Sequence, residues 1–370
     1  MKKKILMIQI GASRQGGAIG GINSFIYNTF KNINHESLTM DFLASKYLPL
    51  INYKEELESY GSELYEFNID TSTLKGKISF CRKLKAFLKE NEYDVIHINS
   101  GILLFNYLTA RTCKKVSNAK IVVHSHNNGG RTTGKEIFSA PLKSALAKNT
   151  DAFLACSRSA AEYMFPQKQA GEAAIINNGI YSDKFAFNPE MREEVRKEMN
   201  LTGKFVIGNV GRISEQKNHT FILDVFAQLL REREDAELML VGPGKLFDDM
   251  VRKAGELGIS DKVMFLGRRN DVDRLYQAMD VFFLPSIYEG LGIVNIEAQS
   301  AGLHCVVSDV VPREVNIGSR VDFISLKEDK SVWIDKLLKP YERKSGAVEI
   351  TAAGFNIENS ARQLEKIYLS

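Results

Sequence analysis

Residues 285–297 read PSIYEGLGIVNIE, and this stretch decides how the sequence around it is interpreted. The apolar run VFFL at 281–284 predicts a strand that ends just before it, and the residues after the glycines predict a helix. Gly290 and Gly292 allow the backbone to approach a ligand closely. The amino end of the new helix carries free N–H groups and a positive dipole end, which suit a phosphate.

Two glutamates frame this turn. Glu289 precedes the predicted helix, and Glu297 lies inside it. A carboxylate at such a place can accept hydrogen bonds from ribose hydroxyls, as the acidic residue of a dinucleotide site does. On spacing alone, an ordinary strand–loop–helix with a solvated glutamate pair remains the simpler interpretation.

Outward from this stretch, apolar strands and amphipathic helices alternate along the chain. The first array has predicted strands at 4–10, 38–44, 94–99, 120–125, 152–156 and 173–176, and helices at 23–33 and 78–90. The second has strands at 204–210, 236–241, 262–266, 281–284 and 304–307, and helices at 218–232, 247–257, 273–279 and 293–301, before a last helix at 357–369. We therefore predict an α/β chain with two doubly wound, Rossmann-like parallel-sheet domains, residues 1–185 and 186–355, facing each other across a cleft.

The charge is unevenly distributed. The net charge is +4, but residues 1–184 hold 24 Lys and Arg against 16 Asp and Glu, and the remainder holds 25 against 29. Six of the cations crowd residues 75–89. A solvated face is the simplest interpretation of any such cluster, although basic patches also favour anionic membranes or nucleic acid. No nucleic-acid-binding motif accompanies them.

Cysteine usage and hydropathy indicate a cytoplasmic protein. The four cysteines, Cys81, Cys113, Cys156 and Cys305, are scattered and predict neither a disulfide framework nor a zinc site. No apolar run is long enough to span a bilayer. The start of the chain, residues 1–10, is predicted to be a strand and not a signal peptide.

A second candidate cluster follows the predicted strand at 204–210. Residues 208–218 read GNVGRISEQKN, which places Arg212 and Lys217 at a strand's carboxyl end. Arginine offers a planar fork for phosphate oxygens, and lysine a point charge. Together they could stabilise a departing diphosphate. Two ordinary surface cations are the alternative.

Two further segments carry weaker signals. The glycines of residues 11–21 precede a helix, which again suits a phosphate, and Asp41 lies twenty residues after Gly21, as in an NAD site. The G-x-G-x-x-G spacing is absent, which argues against NAD. The run HSHNNGG at 124–130 places two histidines on one face of a strand end, but no third metal ligand is apparent. His126 could instead hydrogen-bond a sugar hydroxyl, or be a buried core histidine.

Taken together, these motifs resemble the family 4 retaining glycosyltransferases, which have the GT-B fold. The matching elements are E-x7-E at Glu289 and Glu297, V-G-R-x4-K at Val210, Gly211, Arg212 and Lys217, the pair Gly20 and Gly21, His126, N-G-I at residues 178–180, and Ser308, Asp309, Pro312 and Glu314. Leu291 stands where the family usually has Phe, and Tyr181 where it has Asp. The resemblance spans nearly the whole chain, with the motifs in order.

The resemblance implies a role for each matching residue. Arg212 and Lys217 would bind the donor diphosphate, Glu297 the ribose, and Glu289 with the backbone of Gly290, Leu291 and Gly292 the donor sugar and phosphates. Gly20 and Gly21 would lie near the phosphate and the acceptor, the backbone around Arg268, Asn270 and Val272 near the base, and His126 near the sugar. The last helix, within residues 356–370, would return to the first domain. No cofactor and no metal are expected.

The resemblance further implies a hexosyltransferase that moves a sugar, with retained anomeric configuration, from a nucleotide-diphosphate sugar. UDP is the preferred nucleotide, and a glycan or lipid-diphosphate-linked saccharide of capsule, exopolysaccharide or lipopolysaccharide synthesis the acceptor. The basic first domain is compatible with peripheral contact to an anionic inner membrane face. A nucleotide-sugar 2-epimerase, a non-catalytic sugar-nucleotide-binding partner of another transferase and a NAD-dependent oxidoreductase are the rival interpretations.

Overall fold

The computed structural model describes residues 2–9, 21–46, 49–126 and 139–370. The chain divides into two compact units. The first comprises Met1–Gly179 together with Ile357–Ser370, and the second comprises Ile180–Asn356.

The first unit is a parallel sheet flanked by helices. Its strands are β1 (Lys3–Gln9), β2 (Leu38–Ala44), β3 (Leu64–Glu66), β4 (Val95–Asn99), β5 (Lys120–Ser125), β6 (Ala152–Ala155) and β7 (Ala174–Ile175). Its helices before the unit boundary are α1 (Gly21–Asn32), α2 (Lys54–Ser59), α3 (Leu74–Glu90), α4 (Leu103–Val116), α5 (Ser139–Ala147), α6 (Arg158–Met164) and α7 (Gln167–Glu172). The described strands pair in the order β3-β2-β1-β4-β5-β6-β7, and all of these pairings are parallel.

Helices cover both faces of this sheet, so the central strands are apolar on both sides. In β1, Leu6 and Ile8 belong to one core cluster, and Ile5 and Met7 belong to another. Because successive strand side chains point to opposite faces, these two clusters are the two faces of the sheet. This arrangement explains why the sequence of β1 is a nearly continuous apolar run.

The second unit repeats this plan. Its strands are β8 (Phe205–Val210), β9 (Ala236–Val241), β10 (Val263–Gly267), β11 (Val281–Leu284), β12 (His304–Ser308) and β13 (Val321–Ile324). Its helices are α8 (Ser182–Phe185), α9 (Pro189–Glu198), α10 (His219–Leu229), α11 (Phe247–Glu256), α12 (Val272–Ala278), α13 (Ile293–Ser300), α14 (Lys330–Leu338) and α15 (Ala347–Ala352). The strands pair in parallel in the order β10-β9-β8-β11-β12-β13. The prediction of two doubly wound sheets is confirmed.

The last helix, α16 (Ile357–Leu369), belongs to the first unit, as the family resemblance implied. Its Tyr368 hydroxyl lies 2.6 Å from Nδ1 of the buried His97 on β4. Its carboxyl end is held by two lysines, since Lys3 Nζ donates to Tyr368 O at 3.0 Å and Lys120 Nζ donates to Ile367 O at 2.6 Å. Cations at a helix carboxyl terminus satisfy its free carbonyls and favour its dipole.

Some predicted element bounds were wrong. The basic helix begins at Leu74, four residues before the predicted start, because the Thr73 side chain accepts from Gly76 N at 3.1 Å and caps it. Strand β3 was not predicted, since its three half-buried residues carry almost no periodic signal. Over the described ranges, none of the helices combines the length and apolar character needed to cross a bilayer.

Candidate functional site

The order of the strands places the candidate clusters of the second unit side by side. Strands β8 and β11 are neighbours in the sheet, and the chain progresses outward in opposite directions from that pair. Such a reversal opens a crevice at the carboxyl ends of the two strands, where doubly wound folds bind ligands. The loop after β8 carries Arg212 and Lys217, and the loop after β11 carries Glu289.

Lys217 and Glu289 form a buried ion pair at this point. Lys217 Nζ lies 2.7 Å from Glu289 Oε1, and their side chains are only 13% and 6% exposed. The Ser286 hydroxyl donates to the same carboxylate oxygen at 2.7 Å. A buried charge pair is held only where its geometry and additional hydrogen bonds compensate for lost hydration. The carboxylate therefore fixes the position of the lysine ammonium.

The two loops are also joined by hydrogen bonds to their backbone carbonyls. Ile287 N donates to Gln216 O at 2.8 Å, and the side-chain amide of Gln216 donates to Tyr288 O at 3.0 Å. Asn218 adopts the left-handed conformation, with φ of 58°, and its side-chain amide donates to Pro285 O at 3.1 Å. These contacts lock the 3₁₀ turn Glu215–Lys217 against the loop that carries Glu289.

Arg212 differs from Lys217 in being exposed. Among the residues that the structure describes, no carboxylate forms an ion pair with its guanidinium. The carboxyl end of β8 thus presents one positioned ammonium and one guanidinium that an incoming anion can engage. Two cations at the carboxyl end of a strand are suited to a diphosphate.

A pair of glycines that the sequence analysis missed supports the Arg212 loop. Gly242 and Gly244 follow β9, and Ile213 N donates to Pro243 O at 2.9 Å. A Cβ on Gly242 would lie 2.0 Å from Gly211 O, and one on Gly244 would lie 2.0 Å from Ile213 O. Only glycine allows the two loops to approach this closely. The signal that could have found them is the run GPG directly after a predicted strand.

The predicted glycine turn leads directly into α13. Gly292 is its amino-terminal cap and has a φ of 77°, which L side chains rarely adopt. The side chain of Leu291 is 4% exposed and packs into the core, so only its backbone can face a ligand. The amino end of α13 and the Lys217 loop lie at the same edge of the sheet.

Glu297 lies one turn further along α13 and is half-buried. The hydroxyl of the fully buried Tyr276 donates to Glu297 Oε2 at 2.9 Å. Burial raises the pKa of Glu297 to about 7, against the opposing effects of this hydrogen bond and of the positive charge on Lys217. Tyr276 lies on α12 and was missed from the sequence, because a buried aromatic residue on a helix has no local functional signature.

The predicted base-binding residues lie between β10 and α12. Arg268 and Asn270 are exposed in the loop, and Val272 is the first residue of α12. Gly267, which ends β10 with a φ of 58°, accepts a hydrogen bond from Gly242 N at 2.7 Å. Hydrogen bonds therefore link the loop after β8 to the loop after β9, and the loop after β9 to the end of β10.

His126 lies in the first unit, directly after β5. Its Nε2 is 3.0 Å from Asn99 Oδ1, and its Nδ1 has no partner among the described residues. Burial lowers the pKa of His126 to about 3, so the ring is neutral near pH 7 and acts as a hydrogen-bonding group. The rings of His124 and Phe25 pack against it, with centroids 4.0 and 5.7 Å away.

Only some of the other predicted site residues of the first unit are among the described residues. Gly21 is the first residue of α1, at the amino end of a helix. Gly20, the rest of the glycine-rich loop and Asn127–Gly130 of the histidine segment lie outside the described residues. Over residues 2–9, 21–46, 49–126 and 139–370, histidines, cysteines and carboxylates form no group of three or more that could hold a metal ion.

Two family models match the chain in succession. The model described as Glycosyltransferase Family 4 matches residues 19–184, and the model described as Glycosyl transferases group 1 matches residues 191–326. Among curated proteins, the chain is 28% identical to the "Putative glycosyltransferase EpsF" of Bacillus subtilis, over 91% of this chain and 88% of that protein. It is 25% identical to the Escherichia coli "UDP-Gal:alpha-D-GlcNAc-diphosphoundecaprenol alpha-1,3-galactosyltransferase", over 100% of this chain and 98% of that protein.

Solved structures share the architecture. Anabaena HepE in complex with UDP and glucose is 19% identical and covers 99% of both chains, with a TM-score of 0.75. Sucrose-phosphate synthase from Thermosynechococcus elongatus is 17% identical, over 100% of this chain and 98% of that one, with a TM-score of 0.76. At these identities the likeness establishes the fold, which is GT-B. With two consecutive family models spanning most of its length, the chain belongs to the family 4 glycosyltransferases.

Proposed function

We propose that this glycosyltransferase moves a sugar, with retained anomeric configuration and without a metal ion, from a UDP-sugar to a lipid-diphosphate-linked saccharide. The observation that carries the proposal is the convergence of Lys217, Arg212 and the amino end of α13 where β8 and β11 adjoin. This is the charge pattern that a diphosphate leaving group requires.

Each residue has a task in this proposal. Arg212 and Lys217 bind the donor diphosphate, and Glu289 both holds Lys217 and contacts the donor sugar, together with the backbone of Gly290, Leu291 and Gly292. Glu297 accepts from the ribose hydroxyls, and the loop with Arg268, Asn270 and Val272 meets the base. In the first unit, we assign Nδ1 of His126 to a hydrogen bond with the sugar, and Gly20 and Gly21 to binding of the phosphate and the acceptor.

The transfer needs no side-chain nucleophile. The acceptor hydroxyl attacks C1 from the face that the diphosphate leaves, through an oxocarbenium-like state. The C1–O bond to the diphosphate breaks, and the hydroxyl proton passes to the leaving phosphate oxygen. Lys217, Arg212 and the α13 dipole stabilise the charge that develops on this oxygen, which is the work that a metal would do in other transferases.

The names of relatives support the donor, the acceptor and the biological setting. The Escherichia coli relative is named for UDP-Gal and a diphosphoundecaprenol-linked saccharide, and HepE was solved with UDP-glucose. A Salmonella typhi relative, 39% identical over 36% of this chain and 24% of that protein, is a "Vi polysaccharide biosynthesis protein". We accordingly propose a role in capsule or exopolysaccharide synthesis at the inner face of the plasma membrane. In this role, residues 1–185 receive the acceptor and residues 186–355 hold the donor.

A nucleotide panel tests the donor assignment. Thermal unfolding is measured with UDP, GDP, ADP or NAD, each with excess EDTA. Because a ligand stabilises the native state by mass action, about 2.7 kcal/mol at a hundredfold excess over Kd, UDP should raise the unfolding temperature in the presence of EDTA. A shift with NAD alone would support an oxidoreductase, and no shift with any nucleotide would overturn the donor site.

Donor binding should depend on pH through Glu297. The ribose hydroxyls need the ionised carboxylate, so affinity should rise with pH, by about tenfold per unit below pH 7, and level off above it. In Tyr276→Phe the carboxylate loses the hydrogen bond that lowers its pKa, so the rise should move to higher pH. Calorimetric titration with a UDP-sugar measures this, because its diphosphate diester lacks the phosphate ionisation near pH 6.

Tyr368→Phe is the matched control for this experiment. Tyr368 is also fully buried, but its hydroxyl contacts His97 in the first unit. Its substitution should leave the pH profile of donor binding unchanged. If Tyr276→Phe leaves the pH profile of donor binding unchanged, Glu297 does not bind the donor.

A further inference from the structure

Helices α3 and α4 lie side by side in the first unit and carry a concentrated positive charge. Helix α3 contains one acidic residue, Glu90 at its end, and α4 contains none. Three of the cations are engaged elsewhere: Lys77 Nζ donates to Thr71 O at 2.7 Å, Lys83 Nζ donates to Phe67 O at 3.2 Å, and Lys114 Nζ lies 2.6 Å from Asp151 Oδ1. Six exposed cations are left: Lys75, Arg82, Lys85, Lys89, Arg111 and Lys115. None of these six pairs with a carboxylate in the described part of the chain.

The spacing of these residues gathers them on one surface. On α3, Lys75, Ile78, Arg82, Lys85 and Lys89 follow one another at intervals of three and four residues, which places them in one stripe. On α4, Leu104, Leu108, Arg111 and Lys115 have the same spacing. We call the surface formed by these two stripes the helix-pair surface.

A notch joins the two stripes. Its volume is about 280 Å³, and it is lined by Ile78, Cys81, Leu108, Arg111, Thr112 and Lys115. Ile78 is 47% exposed, and Leu74, at the start of α3, is 58% exposed. The helix-pair surface therefore carries exposed aliphatic side chains and cations together.

We propose that the helix-pair surface docks on an anionic lipid bilayer. A solvated face would carry charges of both signs, whereas this one carries a single sign beside exposed aliphatic groups. Lys and Arg next to an anionic surface favour binding, and the apolar groups add burial at the acyl boundary. Single-stranded nucleic acid is the other polyanion to consider, but its binding uses exposed aromatic rings for stacking, and the exposed apolar groups here are aliphatic.

Vesicle binding of the full chain tests the proposal. Co-sedimentation is measured with phosphatidylcholine vesicles and with vesicles in which about a third of the lipid is phosphatidylglycerol. The protein should bind the anionic vesicles and leave the zwitterionic ones free. Because a membrane-adjacent cation contributes about a fivefold factor in partitioning, changing Arg82, Lys85, Arg111 and Lys115 to Gln should weaken binding on the order of a hundredfold or more.

A charge-matched control separates this surface from net charge. Arg231, Arg252, Lys327 and Lys344 are exposed cations of the second unit, and their change to Gln removes the same charge. This control should bind anionic vesicles as the unmodified protein does. Equal losses of vesicle binding in the two variants would overturn the proposal, and so would equal binding to anionic and zwitterionic vesicles. Stronger binding to single-stranded RNA than to anionic vesicles would also overturn it.

Two further measurements protect the test from a folding artefact. The first is the salt dependence of vesicle binding, which needs no substitution: added salt should release the unmodified protein from anionic vesicles. Binding that does not change with salt concentration would contradict a surface that binds through its charge. Ile78→Gln removes an apolar group without changing charge and should weaken binding several-fold. The substituted residues are not among those assigned to the donor site, so UDP binding should be equal in all variants. The outcome is therefore independent of the proposed activity.

Discussion

Replacing Lys217 by alanine should reduce turnover by about two to three orders of magnitude, because the leaving diphosphate loses a positioned positive charge. The same change removes the partner of a carboxylate that is almost fully buried. We therefore also expect the free energy of unfolding to fall, by about 3–5 kcal/mol. Steady-state kinetics with a UDP-sugar and urea unfolding measure the two effects.

A double variant separates these effects. Lys217→Ala combined with Glu289→Gln removes both charges, so it should recover part of the lost stability while turnover stays low. Lys245→Ala is the positional control, since Lys245 is a nearby lysine whose side chain is 74% exposed. Recovery of turnover together with stability would mean that Lys217 has only a structural role. Loss of affinity without loss of turnover at saturation would instead favour a binding module.

Substitution Gly242→Ala should damage both stability and donor binding, although residue 242 belongs to neither predicted phosphate loop. The new Cβ would lie 2.0 Å from Gly211 O, and the backbone φ of 142° disfavours any side chain. Residues 211 and 212 would have to shift, which displaces the Arg212 guanidinium. We expect a loss of about 3–5 kcal/mol in unfolding free energy and at least about tenfold in UDP affinity.

Gly258→Ala provides the comparison for this prediction. Gly258 also has a positive φ, of 70°, but a Cβ there would meet nothing within 4 Å. Gly258→Ala should lower the free energy of unfolding only by the backbone strain, about 1–2 kcal/mol, and leave UDP affinity unchanged. Equal affinities for UDP in the two variants would show that the loop after β9 does not position Arg212.

The parts of the site that are local in sequence could be predicted from it. The turn that begins with Glu289 and the cluster with Arg212 each consist of a strand end, glycines and a helix start, and each is contained within a dozen residues. Backbone N–H groups and a helix dipole, which suit a phosphate, can both come from such a short stretch of sequence. Both loops lie where the sequence placed them, after β8 and β11.

The parts that depend on strand order could not be predicted. Lys217 and Glu289 are 72 residues apart, and only the adjacency of β8 and β11 brings them together. Gly242 acts by the absence of a side chain beside another loop, and Tyr276 acts through a hydrogen bond to Glu297 on a different helix. Such roles have no periodicity or spacing, so they emerge only from tertiary packing.

The stereochemistry of transfer tests the proposed retaining transferase activity most directly. The full chain is incubated with α-configured UDP-sugars, EDTA and a panel of lipid-diphosphate saccharides, and the new linkage is assigned by NMR. We expect an α-linked product and UDP release that depends on the acceptor. A β-linked product would contradict retention, and UDP released with an epimerised sugar in the absence of any acceptor would replace the transferase with a 2-epimerase.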